Sequence, residues 1–563
     1  MRPVPDRLPQ PSLRRRLLSV ALAAVLLLAT ASAASASPGL RSPASQIKPP
    51  ANFWRSARQA VAIADRSPEA RTLHAREPGV RGRAYVGDLG LWIVVYRDRR
   101  GERARVPVED RTGDVLEPSI QAYPLTSGDA GPATVKVELI ALALTVFLLA
   151  LLFDFRRPFR LRNLDLVALL SLGASVVLLD HGHPLTGIPL AYPPLLYLFV
   201  RLAKLGFRGT GDEGPLTARG GTRFLVISLL TLVAVRVAAN LLLGGVSDVG
   251  YASVFGANSI HDGWPLYVQD HNHLDTYGPI TYLAYLPFEA IFPLHNLRHD
   301  YLPAAHAAAL AFDLITIVGL LLLGRRLRGG EAGRRLGLVL AVAWAACPFT
   351  FLSLVANTND GLVPMFVVGA LVAISSPVRR GIVLGLGAAA KFAPLLLAGV
   401  FATACGDRGR RSLRCALAMA AAIAVPVLLY SRPGGLGVFW SQTLGFQLHR
   451  HSFLSIWGQY PQLNPVKIVL EAGTIALAAA AAVPSARRTS AQVGALAGAI
   501  LIALELTATH WYFFYVGWFV PGVLLALLAL DRRTLPLPVS SAGSAEALES
   551  SITLRLPEPA LRQ

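Results

Sequence analysis

The chain has 563 residues, of which 53% are hydrophobic and only 15% are charged. A soluble domain carries about 25% charged residues, so this composition excludes a chain whose whole surface faces water. The 53 basic and 34 acidic residues give a net charge of +19, but no nucleic-acid-binding module accompanies that charge. There is no Gly-Lys dipeptide, hence no P-loop, and the three cysteines form no metal-ligand pattern. We therefore predict an all-α polytopic membrane protein without a nucleic-acid partner.

The first segment is typical of exported proteins. Arg14–Arg16 precede the apolar run Leu17–Ala29, and small residues typical of a cleavage site follow as far as Ala36. We expect residues 1–36 to be a cleaved signal peptide or, as the open alternative, a retained N-terminal anchor. In either case the segment that follows is exported.

Residues 40–135 contain no apolar run and have about the size of one small domain. Helical spacing over 56–66 precedes two strand-like stretches, Leu91–Tyr96 and Arg105–Val108, and the turn signal at 110–113. This order, with the sequences WIVVYRD and VPVEDRTGDVLE, resembles the PepSY-type domain, a small α+β module of exported proteins. No pair of groups in this region suggests catalysis, so we interpret it as a regulatory or partner-binding appendage in an extracytoplasmic position.

Eleven apolar stretches follow, each about long enough to cross a bilayer as a helix. They lie near 136–154, 164–180, 188–205, 223–244, 303–323, 335–354, 361–376, 412–430, 466–484, 490–508 and 511–530. Residues 381–404 are too few for two spans and are expected to form a tight hairpin. We divide this part into accessory transmembrane helices (136–222), a core (223–533) and a disordered cytoplasmic tail (534–563).

Arginines fix the expected orientation, because cytoplasmic loops carry the excess of positive charge. They cluster in alternate loops, namely 156–162, 325–335, 379–380, 408–414, 487–488 and 532–533. The spans alternate between the two sides of the membrane as the arginines require only if residues 280–294 lie along the interface and do not cross it. The same alternation places the loops 245–302 and 431–465 outside. Only five basic residues are Lys, which is typical of a high-G+C bacterial gene. The predicted location is the bacterial plasma membrane, with a polar site on the extracytoplasmic side.

Asp248 is the leading catalytic candidate, because it follows the span 223–244 directly at the outer boundary. A carboxylate there reaches both a lipid headgroup and a water-soluble acceptor, so it suits a general base that deprotonates a hydroxyl. The alternative is a solvated carboxylate or a helix N-cap for the stretch that starts at Val249.

Several short elements follow Asp248 in order. They are Gly263-Trp-Pro-Leu-Tyr267, Asp275-Thr-Tyr-Gly-Pro279, Leu286-Pro287, Asn357-Thr-Asn-Asp360 and Gly385-Leu-Gly-Ala-Ala-Ala-Lys391-Phe-Ala-Pro394. Together they resemble the GT-C class of integral-membrane glycosyltransferases, most closely the polyprenyl-phosphate-mannose-dependent mannosyltransferases of family 87, over about 223–530. The sequence departs from the pattern of this family at two points, and both bear on the subfamily and the substrate. The family often has Tyr-Pro-Pro where this chain has Tyr277-Gly278-Pro279, and no second acidic residue stands beside Asp248.

The resemblance implies a GT-C-like fold and transfer of a sugar, by default mannose, from a polyprenyl-phosphate carrier to an extracytoplasmic glycan or glycolipid. It also implies an essential acidic residue in the first outer loop, which maps onto Asp248. The sequence agrees with a lipid-linked donor, because there is no Asp-x-Asp pair of the kind that binds a metal–nucleotide diphosphate.

A phosphate leaving group needs nearby cations, since negative charge develops there in the transition state. Lys391, within the hairpin, is the leading candidate, and the alternative is a snorkelling lysine that anchors the tip. The further substrate-binding candidates are Tyr277, Asn357, Asn359, Asp360, His449, Arg450, His451 and His510. No metal site and no cofactor is predicted, although the His-x-His pairs keep binding of a divalent cation as an open alternative.

Three charges lie within spans, namely Arg236, Asp313 and Glu505. They are expected to pair between helices, with Arg236–Asp313 the first choice, or alternatively to relay protons in a transporter. Two rival functions therefore stay open. One is a secondary transporter or lipid flippase, and the other is a non-catalytic membrane sensor that uses the exported domain.

Overall fold

The structure is a computed structural model that describes residues 42–530 with internal gaps. The gaps are 51–52, 77–78, 87–90, 99–100, 111–112, 114, 116–131, 182, 210–213, 268–274, 295–301, 450–451, 453 and 486–487. The predicted signal segment and the predicted cytoplasmic tail therefore lie outside the described residues.

A small α+β unit comes first. It consists of α1 (Ala57–Ala64), α2 (Pro68–Arg76), β1 (Arg81–Val86), β2 (Leu91–Asp98) and β3 (Gly101–Glu109). The sheet is antiparallel in the order β1-β2-β3, and it packs Trp92 and Tyr96 against the buried alanines of α1. Both predicted strands are confirmed. β1 was not predicted, because Arg81, Gly82 and Arg83 interrupt its apolar pattern.

The rest of the described chain is helical. Its long helices are α3 (Pro132–Leu152), α4 (Leu161–Asp180), α5 (Pro184–Arg208), α6 (Thr222–Leu243), α7 (Asp248–His261), α8 (Pro279–Ile291), α9 (Pro303–Leu327), α10 (Gly330–Ala345), α12 (Leu362–Val372), α13 (Pro377–Ala390), α15 (Arg410–Tyr430), α19 (Asn464–Ala481), α20 (Ser490–Thr507) and α21 (Val516–Leu528). The shorter ones are α11 (Pro348–Val355), α14 (Ala398–Ala402), α16 (Gly435–Trp440), α17 (Phe446–His449) and α18 (Ile456–Gln459).

Within the described residues, eight helices are long and apolar enough to cross a membrane, or nine if the bent pair α10–α11 is one span. These eight are α3, α4, α5, α6, α9, α15, α19 and α20. The expected eleven spans are thus not all present as full-length helices. α10 and α11 meet at 57° before Pro348, and the apolar helices α12 and α21 are too short for the same test. Helix α8, expected along the interface, is also not among the spans.

A buried ion pair ties the bundle together as predicted. Arg236 of α6 donates from Nη2 and Nε to the two carboxylate oxygens of Asp313 in α9, at 2.7 and 2.9 Å. The same guanidinium donates to the main-chain oxygens of Ala345 and Thr350, both at 3.1 Å, and Trp344 donates to Asp313. The pair therefore also satisfies the carbonyl group of Ala345, which the end of α10 leaves without a helical partner.

Candidate active site

Asp248 is the first residue of α7, and its backbone is fixed by the segment that precedes it. Ser247 caps the helix by accepting from Gly250, and the amide of Ser247 donates to Ala356 at 3.0 Å. A Cβ at Gly250 would lie 2.2 Å from the main-chain oxygen of Asn357, so only glycine permits this approach. The Asp248 side chain is exposed. A solvent-accessible carboxylate on a rigid backbone is what a positioned general base requires.

The turn 357–360 connects this backbone to the helix bundle. Asn357 adopts a left-handed conformation with φ of 47°, and its side chain donates to Gly245 at 2.7 Å and accepts from Asn240 at 2.7 Å. Asn359 donates to Ser253 of α7 at 3.0 Å, while its buried Oδ1 has no partner among the described residues. Asn359 thus keeps an unused acceptor beside α7. The sugar-binding role of both amides stays a prediction.

Lys391 lies at the break that follows α13, and its ammonium is buried rather than snorkelling. Its Nζ lies 2.5 Å from Oδ1 of Asp360, which also accepts from the indole of Trp518 at 3.1 Å. Three aromatic rings surround the ammonium, with centroid distances of 5.2 Å to Tyr277, 5.4 Å to Trp518 and 5.9 Å to Tyr515. Rings at this distance stabilise a cation through their electron-rich faces.

The Lys391 ammonium keeps hydrogen-bonding capacity. An ammonium has three donors, and the described residues accept only one of them, through Asp360. The Asp248 carboxylate is also close enough for its charge to act on Lys391. The structure therefore brings together Asp248, Asp360, Lys391 and Tyr277, four of the residues predicted from the sequence.

The segment 277–281 holds the end of α13 and with it Lys391. Gly278 donates its amide to the main-chain oxygen of Ala390 at 3.1 Å, and the hydroxyl of Thr281 donates to the same oxygen at 2.9 Å. A Cβ at Gly278 would lie 2.0 Å from the oxygen of Ala389. Gly278 stands where the resembled family often has the first proline of Tyr-Pro-Pro. Glycine permits the close contact with Ala389 and supplies the N–H that proline lacks.

His510 lies at the edge of this site. Its Nδ1 is 2.8 Å from the hydroxyl of Ser452, and its ring centroid is 6.4 Å from that of Tyr515. Arg450, His451 and the side chain of His449 lie outside the described residues. The loop that carries Ser452 is fixed to the 505–511 segment, because Trp511 donates its amide to Leu454 at 2.9 Å.

Sequence reasoning missed the aromatic enclosure and the Lys391–Asp360 pair. The run that contains Tyr515 and Trp518 has the composition of an interfacial belt, and it was interpreted as one. The spacing of three residues between these two rings was the available signal, because it places them on one helical face. The pairing joins residues 31 positions apart, and sequence alone carried no signal for it.

The described part of the chain holds no group of three His, Cys, Asp or Glu side chains that could bind a metal ion. The spans and the enclosed polar site define a multi-span helical membrane protein. Residues 276–530 match the family model described as Glycosyltransferase family 87, so the chain carries a membrane glycosyltransferase domain of that family. The match includes Tyr277, the turn 357–360, Lys391 and His510, and it begins after Asp248. No curated protein and no solved structure matches the chain.

Proposed function

We propose that the protein transfers a sugar, by default mannose, from a polyprenyl-phosphate carrier to a glycan or glycolipid on the outer face of the bacterial plasma membrane. The observation that carries the proposal is the buried Lys391 ammonium, which has two donors unused by the described residues and an exposed carboxylate, Asp248, within electrostatic range. This arrangement suits a leaving phosphate on one side and an attacking hydroxyl on the other.

In the proposed reaction Asp248 accepts the proton of the acceptor hydroxyl, whose oxygen attacks the anomeric carbon. The bond between that carbon and the phosphate oxygen breaks with inversion, and the electron pair leaves on the polyprenyl phosphate. Lys391 then hydrogen-bonds the phosphate, since a charge-assisted donor binds an oxyanion more strongly than a neutral donor does. Asp360 and the rings of Tyr277 and Trp518 keep the ammonium charged and oriented.

The remaining predicted residues take supporting roles in this proposal. Asn359 offers its unused Oδ1 to a sugar hydroxyl, whereas Asn357 holds the turn through its contacts with Asn240 and Gly245. His510, with His449, Arg450 and His451, is proposed to contact the phosphate or the sugar from the outer loop. The reaction as written requires no metal ion, and divalent-cation dependence is a separate measurement.

For the N-terminal region we propose a PepSY-like, partner-binding appendage on the extracytoplasmic side. Its three-stranded sheet packed on α1 is compatible with such a small module. Tyr96 donates to Asp65 at 2.6 Å inside this unit, and burial raises the pKa of the phenol above its ordinary value. Tyr96 is therefore a neutral structural side chain rather than an acid–base group.

The test is transfer from a radiolabelled polyprenyl-phospho-mannose pool in membranes that contain wild type, Asp248→Asn or Glu331→Gln. Glu331 is an exposed carboxylate at the start of α10 and serves as the matched control. We expect Asp248→Asn to lose about 100-fold or more, since a general base contributes about 10²–10⁴. Equal transfer by wild type and Asp248→Asn would remove Asp248 as the base. Absence of transfer in all three would reject this donor and make transport the next assay.

A further inference from the structure

The outer end of α7 presents an exposed tryptophan on a rigid backbone. Gly263, with φ of 73°, donates to Ile260 at 3.2 Å, and Trp264 donates to Ser259 at 2.7 Å. These two bonds form a Schellman ending, in which the residue in the place of Trp264 frequently packs back on the last turn. Trp264 instead is 69% exposed. Its ring is therefore held outward by the backbone and left uncovered by the described residues.

Three polar residues of the same helix end, Asn258, His261 and Asp262, have side chains that are held in place by bonds within the protein. Nδ1 of His261 lies 2.7 Å from Oε2 of Glu289, a carboxylate that is only 1% exposed. Because Nδ1 is occupied, Nε2 of His261 is left for an external partner. Asn258 donates from Nδ2 to Oδ2 of Asp262 at 2.7 Å, which leaves Oδ1 of Asp262 and Oδ1 of Asn258 unused among the described residues.

This combination has the chemistry of a carbohydrate site. The C–H face of a pyranose packs on an indole ring, and its hydroxyls bond to carboxylate, amide and imidazole groups. A membrane anchor is the other common role of an exposed tryptophan. The exposed Asp262 and His261 in the same turn disfavour that role, because charged groups are costly to bury in lipid.

We propose that Trp264, with Asn258, His261 and Asp262, forms a subsite for the carbohydrate chain of the acceptor. This inference rests on the proposed function and deepens it by assigning the acceptor side. Asp248 and His261 are the first and last residues of α7, so about 20 Å of helix separates them at about 1.5 Å per residue. An acceptor that reaches both ends has several sugar units, whereas a single sugar reaches only Asp248.

The test compares acceptors of two lengths, methyl mannoside and a long mannose oligosaccharide. Trp264→Ala is expected to raise KM for the long acceptor about tenfold, through loss of a stacked ring, with kcat unchanged and the short acceptor unaffected. Trp264→Tyr keeps a ring and should restore much of the affinity. Trp440→Ala, at another exposed tryptophan, should match wild type. An equal effect on both acceptors, or on neither, would overturn the subsite.

A direct binding measurement separates this subsite from the reaction itself. The long oligosaccharide is titrated into purified Asp248→Asn and into Asp248→Asn combined with Trp264→Ala, where no turnover interferes. Weaker binding by the double variant supports the subsite even if the polyprenyl donor is wrong. Equal binding by the two proteins would overturn the proposal.

Discussion

Two buried ion pairs lie between helices of the same bundle, and they differ in how completely their charges are satisfied. Arg236 donates to both oxygens of Asp313 and to two main-chain oxygens, and its environment is closed. Lys391 donates to a single oxygen of Asp360 and otherwise faces aromatic rings. A closed pair is a structural connection between helices, whereas an open pair keeps donors for a ligand. Burial of a charge thus does not by itself identify a site, and Lys391 is a candidate because its unused donors lie beside Asp360 and Tyr277.

Breaking the closed pair should have the largest effect, and that effect should fall on stability. Arg236→Gln leaves Asp313 buried without its cation, which costs about 3–5 kcal/mol. We expect a large loss of folded protein, measured by thermal unfolding in detergent. The double variant Arg236→Met with Asp313→Leu should recover much of the stability and retain transfer, because apolar replacement of a whole buried pair is often neutral. A stable double variant without transfer would contradict a purely structural role.

Breaking the open pair should instead affect catalysis. Lys391→Gln is expected to reduce kcat/KM for transfer by about 10²–10³, the usual consequence of removing one donor to a developing negative charge. The double variant Lys391→Met with Asp360→Leu should fold but stay inactive. This is the opposite of the result expected at Arg236 and Asp313. Recovery of transfer by this double variant would show that both pairs are structural.

A smaller effect is expected where the backbone positions the open pair. Gly278→Ala places a Cβ 2.0 Å from the oxygen of Ala389, and an overpacked site of this kind costs about 1–3 kcal/mol. Displacement of α13 should lower transfer more than it lowers the folded fraction, because Lys391 follows α13 directly. Gly473→Ala in α19 has no atom within 4 Å of its Cβ and is the matched control. Equal losses in both variants would rule out a positioning role for Gly278.

The sequence predicted the closed pair better than the open one, for a physical reason. Arg236 and Asp313 each stood alone in an apolar span, so each needed an opposite charge and few partners were possible. Lys391 and Asp360 lie at breaks between helices, where polar residues of several other segments were possible partners. The segments that form the bent pair α10–α11 and the short helices α12 and α21 have the composition of full spans. Counting apolar stretches therefore overestimated the number of membrane-spanning helices.

The candidate site was predicted in part. Tyr277, Asp360 and Lys391 were named from motifs, and the structure places them together. The partners Tyr515 and Trp518 were not assigned to the site, because aromatic residues near a membrane boundary have a common anchoring role. The hydrogen bond from the amide of Gly278 to the oxygen of Ala390, at the end of α13, joins segments that are distant in the sequence. A local sequence pattern does not encode such a contact.

The most direct measurement of the central claim is equilibrium binding of a short-chain polyprenyl phosphate to purified wild type and Lys391→Gln, compared at equal folded fraction. The proposed role predicts binding that is weaker by about tenfold or more in the variant, because a hydrogen bond to a charged group contributes about 1.5–3 kcal/mol. Binding should be unchanged in the stable Arg236→Met, Asp313→Leu protein. Equal affinity of wild type and Lys391→Gln for the phosphate would contradict the assignment of Lys391 to the leaving group.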